Sequence, residues 1–149
     1  MMTIEIVKAA DLVLNEVLEL YGAVEWLAYT KDPDMLLVAL EGSSTVVVAR
    51  DGRSLVGLAR VISDGASICY LQDILVLPSH HRRGIGRALA ERALGEYPNV
   101  RQKVLITDDE PKQKAFYESL GYTQTDDFNG GSVRAFVRFD KQAGRNRFC

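Results

Sequence analysis

The segment from Leu75 to Leu89 limits the possible folds of this chain more than any other. It reads as the end of an apolar strand (Val76-Leu77), a stop at Pro78, and a basic loop from His80 to Gly86 carrying Arg82 and Arg83. Gly84-Ile85-Gly86 then opens a helix over about Ile85–Glu96, with Ile85, Leu89 and Ala93 at i, i+4 and i+8 on one face. A helix N-terminus presents unpaired N–H groups and the positive end of the dipole, so it binds phosphate. Glycines let the backbone approach an anion closely, and Arg82, Arg83 and Arg87 add charge and donors. The segment is built for a pyrophosphate. It is not a dinucleotide fingerprint, because Leu89 stands where that motif needs Gly or Ala and the loop is longer than its tight turn. The Gly-Lys-Ser/Thr of a nucleotide-binding P-loop is missing altogether.

Around this segment the pattern alternates between strand and helix. Thr3–Val7 reads as a short strand. Asp11 can cap a helix whose apolar positions are Leu12, Val13, Val17, Leu18 and Tyr21. A second helix starts at Asp32-Pro33 and ends near Gly42, after an aromatic stretch, Gly22–Thr30, without clear periodicity. Thr45–Arg50, Ser54–Ser63 and Ser67–Leu77 read as three antiparallel strands joined by turns at Asp51-Gly52 and Asp64-Gly65. Val104–Thr107 is a short buried strand. Pro111 opens a helix with Phe116 and Leu120 on one face and Gly121 as its stop. Tyr122–Thr125 and Val133–Phe139 make a final strand pair around Asn129-Gly130-Gly131. The order is mixed α/β, and its antiparallel front half excludes a pure doubly wound fold.

With 149 residues, 47% hydrophobic and 26% charged, the chain fits one domain over residues 1–140 followed by a polar tail, Lys141–Cys149. A net charge of -2 argues against a nucleic-acid binder. The one basic face, Arg82–Arg101, is interrupted by Glu91 and Glu96 and lacks stacking aromatics. No apolar run approaches the roughly 20 residues that span a bilayer, and Met1–Lys8 does not read as a signal peptide. Cys69 and Cys149 are read as free thiols of a cytoplasmic protein. His80 and His81 are adjacent and lack a Cys/Asp cluster, so no metal site is expected.

The chain resembles the GCN5-related N-acetyltransferase (GNAT) superfamily. Its first signature, Gln/Arg-x-x-Gly-x-Gly/Ala after an apolar-x-Pro strand end, is matched by Val76-Leu77-Pro78 and His81-Arg82-Arg83-Gly84-Ile85-Gly86, with His81 replacing Gln or Arg. Its second, Phe-Tyr-x-x-x-Gly-Phe/Tyr, is matched by Phe116-Tyr117-Glu118-Ser119-Leu120-Gly121-Tyr122. The asparagine that often precedes that helix in the family is replaced in the Asp109-Glu110 region. The resemblance covers about Ser44–Phe139. It implies a mixed sheet of about seven strands flanked by about four helices, opened between two parallel strands.

It also implies acetyl-CoA as cosubstrate. Backbone groups near Leu75, Val76 and Leu77 would meet its pantetheine arm, and amides of Arg82, Arg83, Gly84, Ile85, Gly86 and Arg87 its pyrophosphate. Transfer from a thioester to an amine needs a proton acceptor for the amine, an oxyanion site and a proton for the leaving thiolate. Tyr117 matches the family tyrosine that faces the sulfur, and its roughly 100° offset from Phe116 argues against a purely core role. Asp73 stands beside Gln72 where polyamine-type members carry Glu-Asp. It could bind the ammonium or take its proton, it could be an Asp satisfied by neighbouring N–H groups, or ordered water could relay the proton instead. Glu25, Trp26 and Tyr29 either wall an acceptor pocket or plug the core. The implied reaction is direct acetyl transfer to a primary amine of a small molecule; the alternative is a non-catalytic acyl-CoA-binding sensor on the same fold. A homodimer through the late strand pair is left open.

Overall fold

The computed structural model describes residues 1–129 and 133–140. Among them, five strands form one sheet in chain order: β1 (Met2–Val7), β2 (Thr45–Asp51), β3 (Ser54–Ser63), β4 (Ile68–Val76) and β5 (Gln102–Val104). The first four run antiparallel; β1 reaches β2 through the intervening helical segment, whereas the expected tight turns join β2 to β3 and β3 to β4. Gly52 and Gly65 both take positive φ there, which glycine adopts without steric cost. β5 returns parallel to β4, as a helical crossover requires.

Helices cover both faces. α1 (Leu14–Ala23), the single turn α2 (Leu27–Thr30) and α3 (Pro33–Glu41) lie over a core containing Val17, Leu20, Leu36, Leu40, Val46, Val48 and Leu58. α4 (Ile85–Leu94) covers the other face, burying Ile85, Leu89 and Ala93 among Val47, Ala59, Val61 and Leu71. α5 (Pro111–Ser119) packs Phe116 and Tyr117 against the same layer. Asp32 caps α3 as expected, its Oδ1 accepting the Met35 N–H at 3.1 Å. Asp11 does not cap α1. Its carboxylate accepts the Lys8 N–H and closes a 3₁₀ turn, Ala9–Asp11, and α1 starts later at Leu14.

Two β-bulges set which side chains reach which face. Between β3 and β4 the register runs Arg60↔Asp73 and then Val61↔Leu71, leaving Gln72 as the extra residue. Leu71 therefore faces the α4 core, whereas Leu75, beyond the bulge, joins the α1/α3 core.

The sheet has fewer strands than the roughly seven expected, and five helices stand among the described residues where about four were expected; the added one is α2. Neither Tyr122–Thr125 nor Val133–Phe139 forms a strand. β5 offers a ladder of only three residues, and Asp127 binds Lys114 of α5 at 2.9 Å, folding Thr125–Asp127 into a 3₁₀ turn against that helix. Phe136 is left 95% exposed. The expected turn at Gly130-Gly131 and the tail Lys141–Cys149 fall outside the described residues.

Gly57 on β3 lets α4 settle close to the sheet: an added Cβ would lie 2.9 Å from Leu89 Cδ1 and 3.2 Å from the Leu75 carbonyl oxygen. Gly57→Ala is expected to lower stability by about 1–3 kcal/mol through this overpacking, read as a reduced urea midpoint at unchanged slope.

Candidate active site

The site forms because β4 and β5 part. They pair only from Ile68↔Gln102 to Tyr70↔Val104, while β4 continues to Val76. From Leu71 onward, the side of β4 away from β3 has no strand beside it among the described residues. The orientation of each peptide follows from one bond: the Leu77 N–H donates to the Val56 carbonyl at 2.8 Å. Strand alternation then turns the backbone groups of Leu75 and Leu77 toward β3, and those of Ile74 and Val76 into the opening. The expectation for the backbones of Leu75 and Leu77 is thereby corrected: Leu75 turns to β3, and the N–H of Leu77 is already used while its carbonyl accepts from the His80 N–H at 2.9 Å.

Two clefts meet at this edge. One, of about 490 Å³, is lined by Ile74, Leu75, Val76, His80, His81 and Arg82, by Gly84–Arg87 at the mouth of α4, and by Lys112, Gln113, Phe116 and Tyr117 of α5. The other, of about 480 Å³, shares Ile74–Val76, His81, Lys112 and Gln113 and adds Ala23, Val24, Glu25, Trp26, Pro78, Asp108 and Glu110. Lys112 and Gln113 escaped the sequence reading. The available signal was helical spacing, because Gln113 lies one turn before Tyr117 and Lys112 one turn before Phe116.

Gly84 takes φ +77° as the left-handed N-cap of α4, a conformation that favours glycine. The first intrahelical bond shown runs from the Ala88 N–H to the Gly84 carbonyl, so the N–H groups of Ile85, Gly86 and Arg87 belong to the open first turn. Arg82 lines the first cleft with φ +63°. Arg87 lines it too, held by Glu91 at 2.7 Å and by Ser119 Oγ at 3.1 Å. Arg83 lines neither cleft and is exposed. Tyr117 is only 6% exposed, its ring packed edge-on to Phe116 and Tyr122. His80 turns away to Asp51 at 3.0 Å, and its hydrogen bond is the main reason the Asp51 carboxyl sits below its ordinary pKa.

Asp73 lines neither cleft. It is fully buried, and its carboxylate accepts from Arg60 Nε at 2.5 Å, Tyr21 at 2.9 Å and Tyr29 at 3.0 Å. Arg60 also reaches Tyr29 at 2.9 Å and Ser43 at 3.3 Å. Burial pulls the Arg60 pKa down, but Asp73 and the two tyrosines outweigh it and keep the guanidinium above its usual range. Burial first, then the Asp73 charge, holds the Tyr21 phenol well above its usual value. Tyr29 thus belongs to this buried knot, while its neighbours Glu25 and Trp26 line the second cleft. Burial also raises the Cys69 thiol, leaving it a buried side chain rather than a nucleophile.

A mixed sheet parted at β4/β5, with a glycine-led helix mouth inside the opening, defines an acetyltransferase fold. The chain matches the acetyltransferase (GNAT) domain over residues 17–136. It is 33% identical to a GNAT-family acetyltransferase from Streptococcus pneumoniae, with a TM-score of 0.79, covering 95% of this chain and 100% of that one. A candidate acetyltransferase of Gibberella zeae is 37% identical over 78 residues, which are 50% of this chain; the match spans 43% of the fungal protein, less than half its length. An aminoglycoside acetyltransferase from an uncultured soil sample, solved with sisomicin, shares the fold at 18% identity and a TM-score of 0.65, covering 95% of this chain and 96% of that one. The chain belongs to the GNAT acetyltransferase family and is by class an N-acetyltransferase.

Breaking the Arg60–Asp73 pair strands a buried charge. Asp73→Asn is expected to cost about 3–5 kcal/mol in urea unfolding, yet to lower the kcat of folded enzyme by less than about tenfold, against the roughly 10²–10⁴ due to a general base. Tyr122 gives a second test. Burial lifts its phenol to about 12, and its hydroxyl has no hydrogen-bond partner among the described residues. A pKa raised on folding contributes stability that is present below the unfolded value near 10 and lost as pH climbs toward about 12. Tyr122→Phe is expected to be no less stable at neutral pH and to lose less stability across that alkaline window.

Proposed function

We propose that this protein transfers an acetyl group from acetyl-CoA directly to a primary amine of a small, positively charged molecule. The observation that carries the reading is the meeting of two clefts at one strand edge, Ile74–Val76. A donor in one and an acceptor in the other come together there without a covalent enzyme intermediate.

The first cleft suits acetyl-CoA. The first-turn N–H groups of Ile85, Gly86 and Arg87, with the Arg82 and Arg87 guanidinium groups, match a pyrophosphate. The inward backbone groups of Ile74 and Val76 match the amides of a pantetheine arm. Acetyl-CoA, when bound, supplies an acyl group on a thiolate leaving group. Inward N–H groups on β4 are donors for the oxygen on which charge develops. Tyr117 gives the departing sulfur its proton from the phenol hydroxyl.

The second cleft suits a cation. Glu25, Asp108 and Glu110 line it beside Trp26, against Lys112 and His81 as the basic residues. These carboxylates hold an ammonium group, and one of them, directly or through a water, takes its proton. Asp73 is assigned the positioning of the sheet instead. The soil enzyme solved with sisomicin has the same fold, which fits a polycationic acceptor without naming one.

Free-thiol release from acetyl-CoA across a panel of mono- and polyamines, arylalkylamines and amino acids tests the reading, with turnover expected on amines carrying a second positive charge. Binding of acetyl-CoA without turnover on any amine would establish a regulatory acyl-CoA-binding protein instead. Tyr117→Phe is expected to lower kcat by roughly 10²-fold and to leave acetyl-CoA affinity within about twofold. Equal loss of both would make Tyr117 structural.

A further inference from the structure

We infer that His81 is a positioning residue for acetyl-CoA: it clamps the Val76 carbonyl at the junction of the two clefts and so fixes the peptide edge that the cofactor reads. The inference rests on the proposed acetyl-CoA cleft and goes beyond it, because it gives the histidine in the first motif position a defined task.

Three features of the structure converge on it. The Val76 carbonyl points into the opening, because the neighbouring Leu77 N–H is bonded to Val56 on β3. A backbone carbonyl on an opened edge has lost the ladder partner that a sheet would supply. His81 Nε2 stands 2.9 Å from that oxygen. The carbonyl can only accept, so Nε2 carries the hydrogen. Finally, His81 lines both clefts, as Val76 itself does, which places the clamp where donor and acceptor meet.

Local structure explains how the ring gets there. Pro78–His80 forms a single 3₁₀ turn, closed by the His80 N–H to the Leu77 carbonyl and the His81 N–H to the Pro78 carbonyl. His81 leaves that turn in an extended conformation, φ -66° and ψ 157°. Its ring thereby folds back along the strand the chain has just left. The preceding His80 is occupied elsewhere, by Ser79 and Asp51, so the two adjacent histidines do different work.

A carbonyl oxygen has two lone pairs. His81 takes one, leaving the second and the Val76 N–H for the cofactor. Without the clamp the last peptide of β4 can rotate, and binding must then order it. Preordering of this kind appears as affinity.

The test is an isosteric pair. Glutamine can present an amide donor at the reach of Nε2, whereas glutamate of the same shape offers only acceptors and repels the carbonyl. His81 is exposed, so none of these variants should disturb folding, and their melting temperatures serve as the control. In titration calorimetry, H81A and H81E should bind acetyl-CoA about tenfold more weakly, the worth of one net hydrogen bond, with H81Q within about threefold of wild type. Nitrogen NMR of free wild-type protein should show the Nε2–H tautomer. If H81Q binds no better than H81E, or H81A binds as wild type does, the clamp is refuted while the acetyl-CoA cleft stands. If the wild-type protein itself does not bind acetyl-CoA, the proposed function falls first and the clamp with it.

Discussion

The contact between Arg60 and Asp73 organises this molecule. Both side chains are buried, one from each of two adjacent strands, and they pair across the point where β3 and β4 slip register around Gln72. A buried ion pair is seldom a net source of stability, because desolvation cancels much of the attraction. What it does here is specify. Arg60 has donors directed to Asp73, Tyr29 and Ser43, and a register that moved any of those acceptors would leave a guanidinium unpaired inside the protein. The pair therefore fixes the bulge, and the bulge decides which side chains of β4 face α1 and which face α4.

From that one constraint the site follows. The β4/β5 ladder ends at Tyr70, just before the bulge, and beyond it the peptides of Ile74 and Val76 face an opening instead of a neighbouring strand. The same knot secures the far wall. Tyr21 and Tyr29 both donate to Asp73 and pack edge-to-face 4.9 Å apart. Trp26 stands against Tyr21, and its N–H is bonded to the Tyr21 carbonyl. Glu25 and Trp26 thus hang from the buried carboxylate by a short chain of contacts. Asp73 shapes the second cleft without entering it.

Much of this was legible in the sequence, for identifiable reasons. The tight turns at Asp51-Gly52 and Asp64-Gly65, the proline openings of α3 and α5, and the glycines of the α4 mouth are local signals that tertiary packing had no cause to overrule. Family likeness placed Tyr117 and the helix mouth on one cleft. Three things were hidden. A bulge leaves no clear mark in a strand that is apolar on either side of Gln72-Asp73, so the inside or outside position of Asp73 could not be read from alternation. Which backbone groups face the opening depends on the partner strand's register, which is why Leu75 and Leu77 were expected beside Val76, whereas Ile74 and Val76 are the ones that face it. The late strand pair was expected around Asn129-Gly130-Gly131, but a turn signal does not supply a partner, and a three-residue β5 gives little edge to join.

The division of charge between the clefts is the remaining link between structure and chemistry. Arginines and helix N–H groups line one side of the Ile74–Val76 edge; three carboxylates, Glu25, Asp108 and Glu110, line the other. In the proposed reaction, an anionic donor and a cationic acceptor would be drawn to opposite faces of the same short stretch of backbone, each repelled from the other's cleft. In such a layout the strand edge is more than a wall. It is the one surface both reactants must touch, so its peptides have to be held in place by groups that belong to neither cleft alone. Arg60 and Asp73 hold them from beneath, through the bulge. His81 reaches the same strand from above, at the last carbonyl before the proline.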